Sequence, residues 1–156
     1  MDLQTIPQQR TGSDSPPPDS VASDPAATGK KPSGLSVLVV DDEPLIRWSL
    51  RKGLTRSGHD VADAGTAGEA LALIDGHPNR FNVVILDYRL PDRRDLSLLK
   101  DVRERLPTAT VLMMTAYGEA DMRAQALALG ALTVIDKPFQ VSALVSLVES
   151  SAFPRS

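Results

Sequence analysis

The chain has 156 residues, 42% of them hydrophobic, with 17 basic and 20 acidic side chains for a formal net charge of −3. That is material for one domain with a real core, and the slight acidic excess argues against a bulk nucleic-acid binder, which carries a basic face. The absence of cysteine excludes disulfides and thiolate chemistry, His59 and His77 are too few for a multi-histidine zinc site, and no apolar run or N-terminal signal pattern suggests a membrane or export, so a cytoplasmic location is expected.

Residues 1–34 hold six of the twelve prolines, including Pro16-Pro17-Pro18, and no aromatic residue. Such a segment cannot bury enough apolar surface to offset its ordering entropy. It reads as a disordered Pro/Ser-rich tail, more simply a spacer than a recognition segment.

From Leu35 the pattern changes to an alternation of strands and helices, and residues 35–151 read as one domain, with 152–156 as a short C-terminal tail. Ser36-Val37-Leu38-Val39-Val40 is an apolar, β-branched run suited to a strand buried on both faces. It ends at Asp41-Asp42-Glu43, and Pro44 opens a helix on which Ile46, Leu50 and Leu54 mark one face. Ser57-Gly58 closes it. Residues 59–64 predict a second, weaker strand, and Thr66 a cap for a helix to about Ile74. The run from Phe81 to Leu86 is the strongest strand signal and ends at Asp87. Residues 95–106 then carry Leu98, Leu99, Val102 and Leu106 at helical spacing. Ala109 to Met114 predict a fourth strand ending at Thr115, about Glu119 to Leu129 a helix closed by Gly130, Leu132 to Ile135 a fifth strand before Lys137, and about Val141 to Ser150 the last helix.

Five strand–helix alternations predict an α/β fold: a doubly wound, five-stranded parallel sheet, flavodoxin-like, with five helices on its two faces. The chemically suggestive residues all fall at C-terminal ends of strands, where such sheets bind ligands. With strand order 2-1-3-4-5, Asp41, Asp42 and Asp87 crowd one cleft. A divalent cation relieves their repulsion, and all-oxygen ligation suits Mg²⁺ rather than zinc or copper. A carboxylate can act as nucleophile and form an acyl phosphate, with Lys137 to neutralise the incoming charge, Thr115 to donate a hydrogen bond, and Ala116 small enough to leave the approach open. Taken singly, each feature has a plainer reading: a charge at a helix dipole, a cap, a turn.

Val39-Val40-Asp41-Asp42-Glu43-Pro44, Ile85-Leu86-Asp87 with Pro91, Met114-Thr115-Ala116 and Lys137-Pro138-Phe139 together resemble the receiver domain of two-component response regulators. The resemblance implies that Asp87 accepts a phosphoryl group from a sensor histidine kinase or a histidine phosphotransfer protein. It implies that Asp42 binds Mg²⁺ directly and Asp41 through water, that the backbone carbonyl of Arg89 adds a ligand, that Thr115 and Lys137 hold the phosphoryl group, and that the Lys137–Pro138 peptide is cis. Arg89 and Tyr117 match positions that tune the lifetime of the acyl phosphate, and the fourth helix, fifth strand and fifth helix match the output surface. No nucleic-acid or membrane partner is expected of this chain.

Two positions depart from the family pattern: Val134 stands where an aromatic switch residue is common, and Asp95 where glycine is usual, although Asp95 also suits a helix cap. Trp48 is read chiefly as flanking the core and covering the sheet edge, with a docking role as the alternative. The alanines of the fourth helix suit either close packing by a partner or simple helix propensity. Two other functions compete: an aspartyl phosphohydrolase of the haloacid-dehalogenase type, which normally has a second aspartate where this chain has Arg89, and an interaction module of the same fold that is not controlled by phosphorylation.

Overall fold

A computed structural model describes residues 34–116 and 120–152. The expected tail therefore lies, except for Gly34, outside the described residues, as do Tyr117 and residues 153–156. Five strands and five helices alternate: β1 Ser36–Val40, α1 Pro44–Arg56, β2 Asp60–Ala64, α2 Ala67–Gly76, β3 Val83–Asp87, α3 Ser97–Arg105, β4 Thr110–Thr115, α4 Ala120–Ala128, β5 Thr133–Asp136 and α5 Val141–Ala152. The sheet is parallel throughout, in the order β2-β1-β3-β4-β5, as expected. No helix among the described residues is long and apolar enough to cross a membrane.

The apolar runs of β1, β3 and β4 alternate between two cores, as the period of two in a strand dictates. Leu38, Val40, Val84, Leu86, Val111 and Met113 face a layer that includes α2, α3 and α4, and Val37, Val39, Val83, Ile85, Leu112 and Met114 face α1 and α5. All five residues of β3 are buried. This sandwiching is why β1 and β3 read as unbroken apolar stretches.

Several boundaries differ from the sequence expectation for local reasons. β3 begins at Val83 rather than Phe81, because the Asn82 side chain accepts the Ser36 N–H at 2.7 Å and so substitutes for a ladder partner. The third helix begins at Ser97 rather than 95, because Asp95 accepts both the Ser97 N–H at 3.0 Å and its hydroxyl at 2.6 Å. Leu96 occupies the cap position without a side-chain cap bond, and Asp95, one residue earlier, braces the helix entry through an Asx-type turn instead of serving as the cap its residue type suggests. α1 closes at Gly58, whose φ of 95° is a left-handed conformation that glycine adopts without strain.

Trp48 does not cover the sheet edge. Two residues from both Ile46 and Leu50, it is turned by about 200° from each, and it stands 56% exposed with the Lys52 ammonium 4.8 Å from its ring centre. On α4, Met122 and Ala126 face the core while Ala124 and Ala128 are exposed.

Thr66 caps α2 as expected, its hydroxyl accepting the Glu69 N–H at 3.0 Å. Thr66→Ala is expected to lower stability by about 1 kcal/mol in urea unfolding. A change within error would mean that the α2 terminus is held by other groups alone.

Candidate functional site

The carboxyl ends of β1, β3, β4 and β5 converge at one edge of the sheet. Register explains the convergence: Val40 pairs with Leu86, Asp87 with Met114, and Thr115 with Asp136. The residues that follow or end these strands are therefore neighbours, and Asp42, Asp87, Arg89, Thr115, Ala116 and Lys137 line one cleft.

The cleft is organised around the Lys137 ammonium. It lies 2.7 Å from an Asp41 oxygen, 3.3 Å from an Asp87 oxygen and 3.2 Å from a Glu43 oxygen. Asp41 is fully buried and its other oxygen accepts the Glu43 N–H at 2.8 Å, whereas Asp42 is exposed. The two adjacent carboxylates thus occupy different environments: one locked to the lysine, the other open to solvent.

Burial pushes the Asp87 carboxyl from its ordinary 3.8 up to about 6, and the neighbouring charge of Asp41 adds to this against the pull of Lys137. Burial also raises Asp41, while its bonds to Lys137 and to the Glu43 N–H oppose the rise. For Lys137, burial acts to lower the pKa, but the bond to Asp41 and the charges of Asp87 and Asp41 outweigh it, and the ammonium is held above its usual range.

Asp41, Asp42 and Asp87 each offer an oxygen, and these lie within 4.8 Å of one another. A carboxylate-only donor set of this span fits a hard divalent cation with waters completing its shell. The excess of negative charge, relieved at present by one lysine, makes the same point: the site has capacity for further positive charge.

The other residues expected at the site are placed as follows. The Arg89 N–H donates to the Asp87 carboxylate, and its guanidinium lies 5.6 Å from the Tyr88 ring centre. Thr115 is buried at the end of β4, and its carbonyl accepts the Lys137 N–H at 2.7 Å. Ala116 is exposed beside it. The Lys137–Pro138 peptide is cis. Val134 is buried in the core that faces α2–α4. Its carbonyl and the Asp136 carboxylate accept from the Arg123 guanidinium of α4, at 2.8 and 2.9 Å, so α4 and β5 are tied by an arginine beside the position where an aromatic residue is common. The assignment of Tyr117 lies outside the described residues.

Three further residues contribute to the site. Glu43, which follows the acidic pair before α1, reaches Lys137 at 3.2 Å. Arg47 donates to the Asp41 carbonyl at 2.7 Å and to Asp63 at 3.0 Å, bracing the acidic loop from α1. Arg94 joins the lining of the cleft from the β3–α3 loop. Only Glu43 carried a signal, its adjacency to the acidic pair. The two arginines sit in a helix and a loop where periodicity says nothing about destination.

A family model described as the response regulator receiver domain matches residues 37–149. Among curated relatives, the DNA-binding transcriptional regulator NtrC of Proteus hauseri is 35% identical over 114 residues, covering 73% of this chain and 24% of the relative. The response regulator protein PilR of Pseudomonas aeruginosa is 39% identical over 114 residues, with coverage of 73% and 25%. The chain therefore spans about a quarter of the length of these curated relatives. Among solved structures, a CheY-like receiver domain protein from Methanospirillum hungatei superposes with a TM-score of 0.71 at 31% identity, covering 77% of this chain and 94% of that one. NtrX from Brucella abortus gives 0.70 at 31%, covering 77% and 27%.

Proposed function

Since this chain belongs to the receiver-domain family of response regulators, we propose that it is a phosphorylation-controlled signalling switch that takes a phosphoryl group onto Asp87, with Mg²⁺ held by Asp41, Asp42, Asp87 and the backbone carbonyl of Arg89. The observation that carries this reading is the Lys137 ammonium shared by Asp41 and Asp87 at the mouth of a three-carboxylate cluster. A nucleophilic carboxylate, a cation to meet an anionic group, and a donor set for a second cation stand together there.

On this reading the donor is a phosphohistidine on a sensor histidine kinase or a histidine phosphotransfer protein. An Asp87 oxygen attacks phosphorus, the phosphorus–nitrogen bond breaks, and its electron pair remains on the imidazole nitrogen. The bound Mg²⁺ would supply charge neutralisation for the phosphoryl oxygens. Lys137, released from part of its pairing as Asp87 becomes an acyl phosphate, meets a phosphoryl oxygen. The Thr115 hydroxyl donates to another, and Ala116 leaves the approach clear. Water attack on the acyl phosphate restores Asp87, and Arg89 and Tyr117 shape its access. The chain acts on itself and turns over no external substrate. Arg89, two positions beyond Asp87, occupies the place where a dehalogenase-type phosphohydrolase has its second aspartate. The output surface is α4, β5 and α5, with a partner whose identity is open, and the setting is cytoplasmic.

A second reading, an interaction module of this fold that is not controlled by phosphorylation, is favoured by one observation. Buried Val134 offers no aromatic ring to move with Thr115. Intact mass after incubation with acetyl phosphate and Mg²⁺ separates the two readings. The parent is expected to gain one phosphoryl group, and neither Asp87→Asn nor the parent in chelator should gain any. No gain in the parent, with acetyl phosphate or with a phosphorylated kinase, would establish the second reading instead.

A further inference from the structure

The cleft has a volume of about 390 Å³, within the range of pockets that hold small molecules, so it has room for a phosphoryl group together with the group it leaves. Three cations line it: Arg89, Lys137 and Arg94. Lys137 is paired with carboxylates and Arg89 is also engaged. Among the described residues Arg94 is exposed and has no acidic or hydrogen-bonding partner.

Its position is nevertheless constrained by the loop that carries it. Asp92 accepts the Ala67 and Gly68 N–H groups, both at 2.9 Å, and so fastens the loop to the N-terminus of α2. Arg93 donates to Asp101 at 2.7 Å and Ser97 at 3.2 Å, fastening it to α3. Leu90 and Arg93 exchange backbone hydrogen bonds of 2.8 and 3.3 Å, closing the turn between. Residues 92 and 93 are both committed to neighbouring helices, and Arg94, next in the chain, lines the cleft.

We propose that Arg94 is a specificity residue for phosphoryl transfer, stabilising the departing oxygen of an acyl phosphate donor. This rests on the reading of Asp87 as the acceptor. In-line displacement places the leaving group opposite the attacking oxygen. Asp87 is only 8% exposed, at the floor of the cleft, so the leaving group faces the solvent side of the cleft, whose lining includes exposed Arg94. When Asp87 attacks acetyl phosphate, the phosphorus–oxygen bond breaks, the electron pair goes to the oxygen, and acetate departs with a full negative charge and no proton transfer. A guanidinium fork fits that developing carboxylate. When the donor is phosphoramidate, the phosphorus–nitrogen bond breaks and ammonia leaves neutral, its nitrogen already protonated. A cation there gains nothing.

The test compares phosphorylation rates of the parent, Arg94→Ala and Arg94→Lys in Mg²⁺, by intact mass, with acetyl phosphate and with phosphoramidate. Arg94→Ala is expected to slow acetyl phosphate about threefold to tenfold and phosphoramidate less than about twofold. Arg94→Lys should fall between, since it keeps the charge and loses the fork, and added salt should narrow the gap. An equal fall with both donors, as a merely structural role would give, or no fall with acetyl phosphate, overturns the proposal. Failure of the parent with both donors would instead overturn the acceptor reading, and this inference with it.

Discussion

Asp87→Asn is expected to make the metal-free protein more stable at neutral pH, by about 1–3 kcal/mol. The folded state holds the Asp87 carboxyl near 6, chiefly by burial and then by the charge of Asp41, against 3.8 for an unperturbed group. Between those two values the folded chain keeps a proton that the unfolded chain has lost, so the stability of the parent falls as pH rises through this window and levels off above it. The full shift, which already includes the opposing pull of Lys137 at 3.3 Å, corresponds to about 3 kcal/mol as an upper bound. Asparagine has the same shape and no charge to ionise. Urea unfolding in chelator should therefore show the variant ahead at pH 7.5 and the difference mostly gone at pH 4.5. Equal stability at pH 7.5 would mean that Lys137 already compensates the Asp87 charge in full.

Lys137→Met should act in the opposite direction. The ammonium is 13% exposed and is the near cation for Asp41, which is 0% exposed, as well as for Asp87. Removing it leaves two buried carboxylates with no positive charge against them, a loss of about 2–4 kcal/mol at pH 7.5 in chelator. Protonation of the carboxylates at lower pH should shrink the loss, and millimolar Mg²⁺ should recover part of it by stabilising the folded state that binds it. Combined with Asp87→Asn, the same lysine change should be milder than alone, because one of the stranded charges is gone. Strict additivity of the two changes would show that Lys137 and Asp87 do not sense each other. That result would also remove the electrostatic argument for the site.

The opposite signs of these two substitutions follow from features that differ in how far the sequence displays them. Asp41, Asp42, Asp87, Thr115 and Lys137 could be singled out because each follows or ends an apolar run, and a parallel sheet gathers all such ends at one edge. The environments within the gathered set were not legible. Nothing in Asp41-Asp42 says that the first is sealed against the lysine and the second is open, since that depends on the Glu43 N–H and on Arg47 reaching over from α1. The start of β3 is hidden for a comparable reason: Phe81 and Asn82 continue into the apolar run, but the Asn82 side chain caps the neighbouring strand. Arg94 was invisible because the direction of a loop arginine is set by what its neighbours Asp92 and Arg93 hold, and those partners lie on two different helices. The helical phase of Trp48, off the Ile46/Leu50/Leu54 face, is legible, but how far its ring stands out is not, since an amphipathic ring suits a half-buried site as well as an exposed one.

The strict alternation of the strands has a geometric corollary at the reactive edge. Asp87 shares the parity of Val83 and Ile85, on the side of α1 and α5, and Thr115 shares that of Val111 and Met113, on the side of α2, α3 and α4. An adduct on Asp87 that also engages the Thr115 hydroxyl must straddle the rim of the sheet, like a rivet through two plates. Helices that otherwise meet only through a wall of apolar side chains would then share one polar fastener. Its presence or loss would be felt on the α4 side of the sheet, although the atom that gains it belongs to the other.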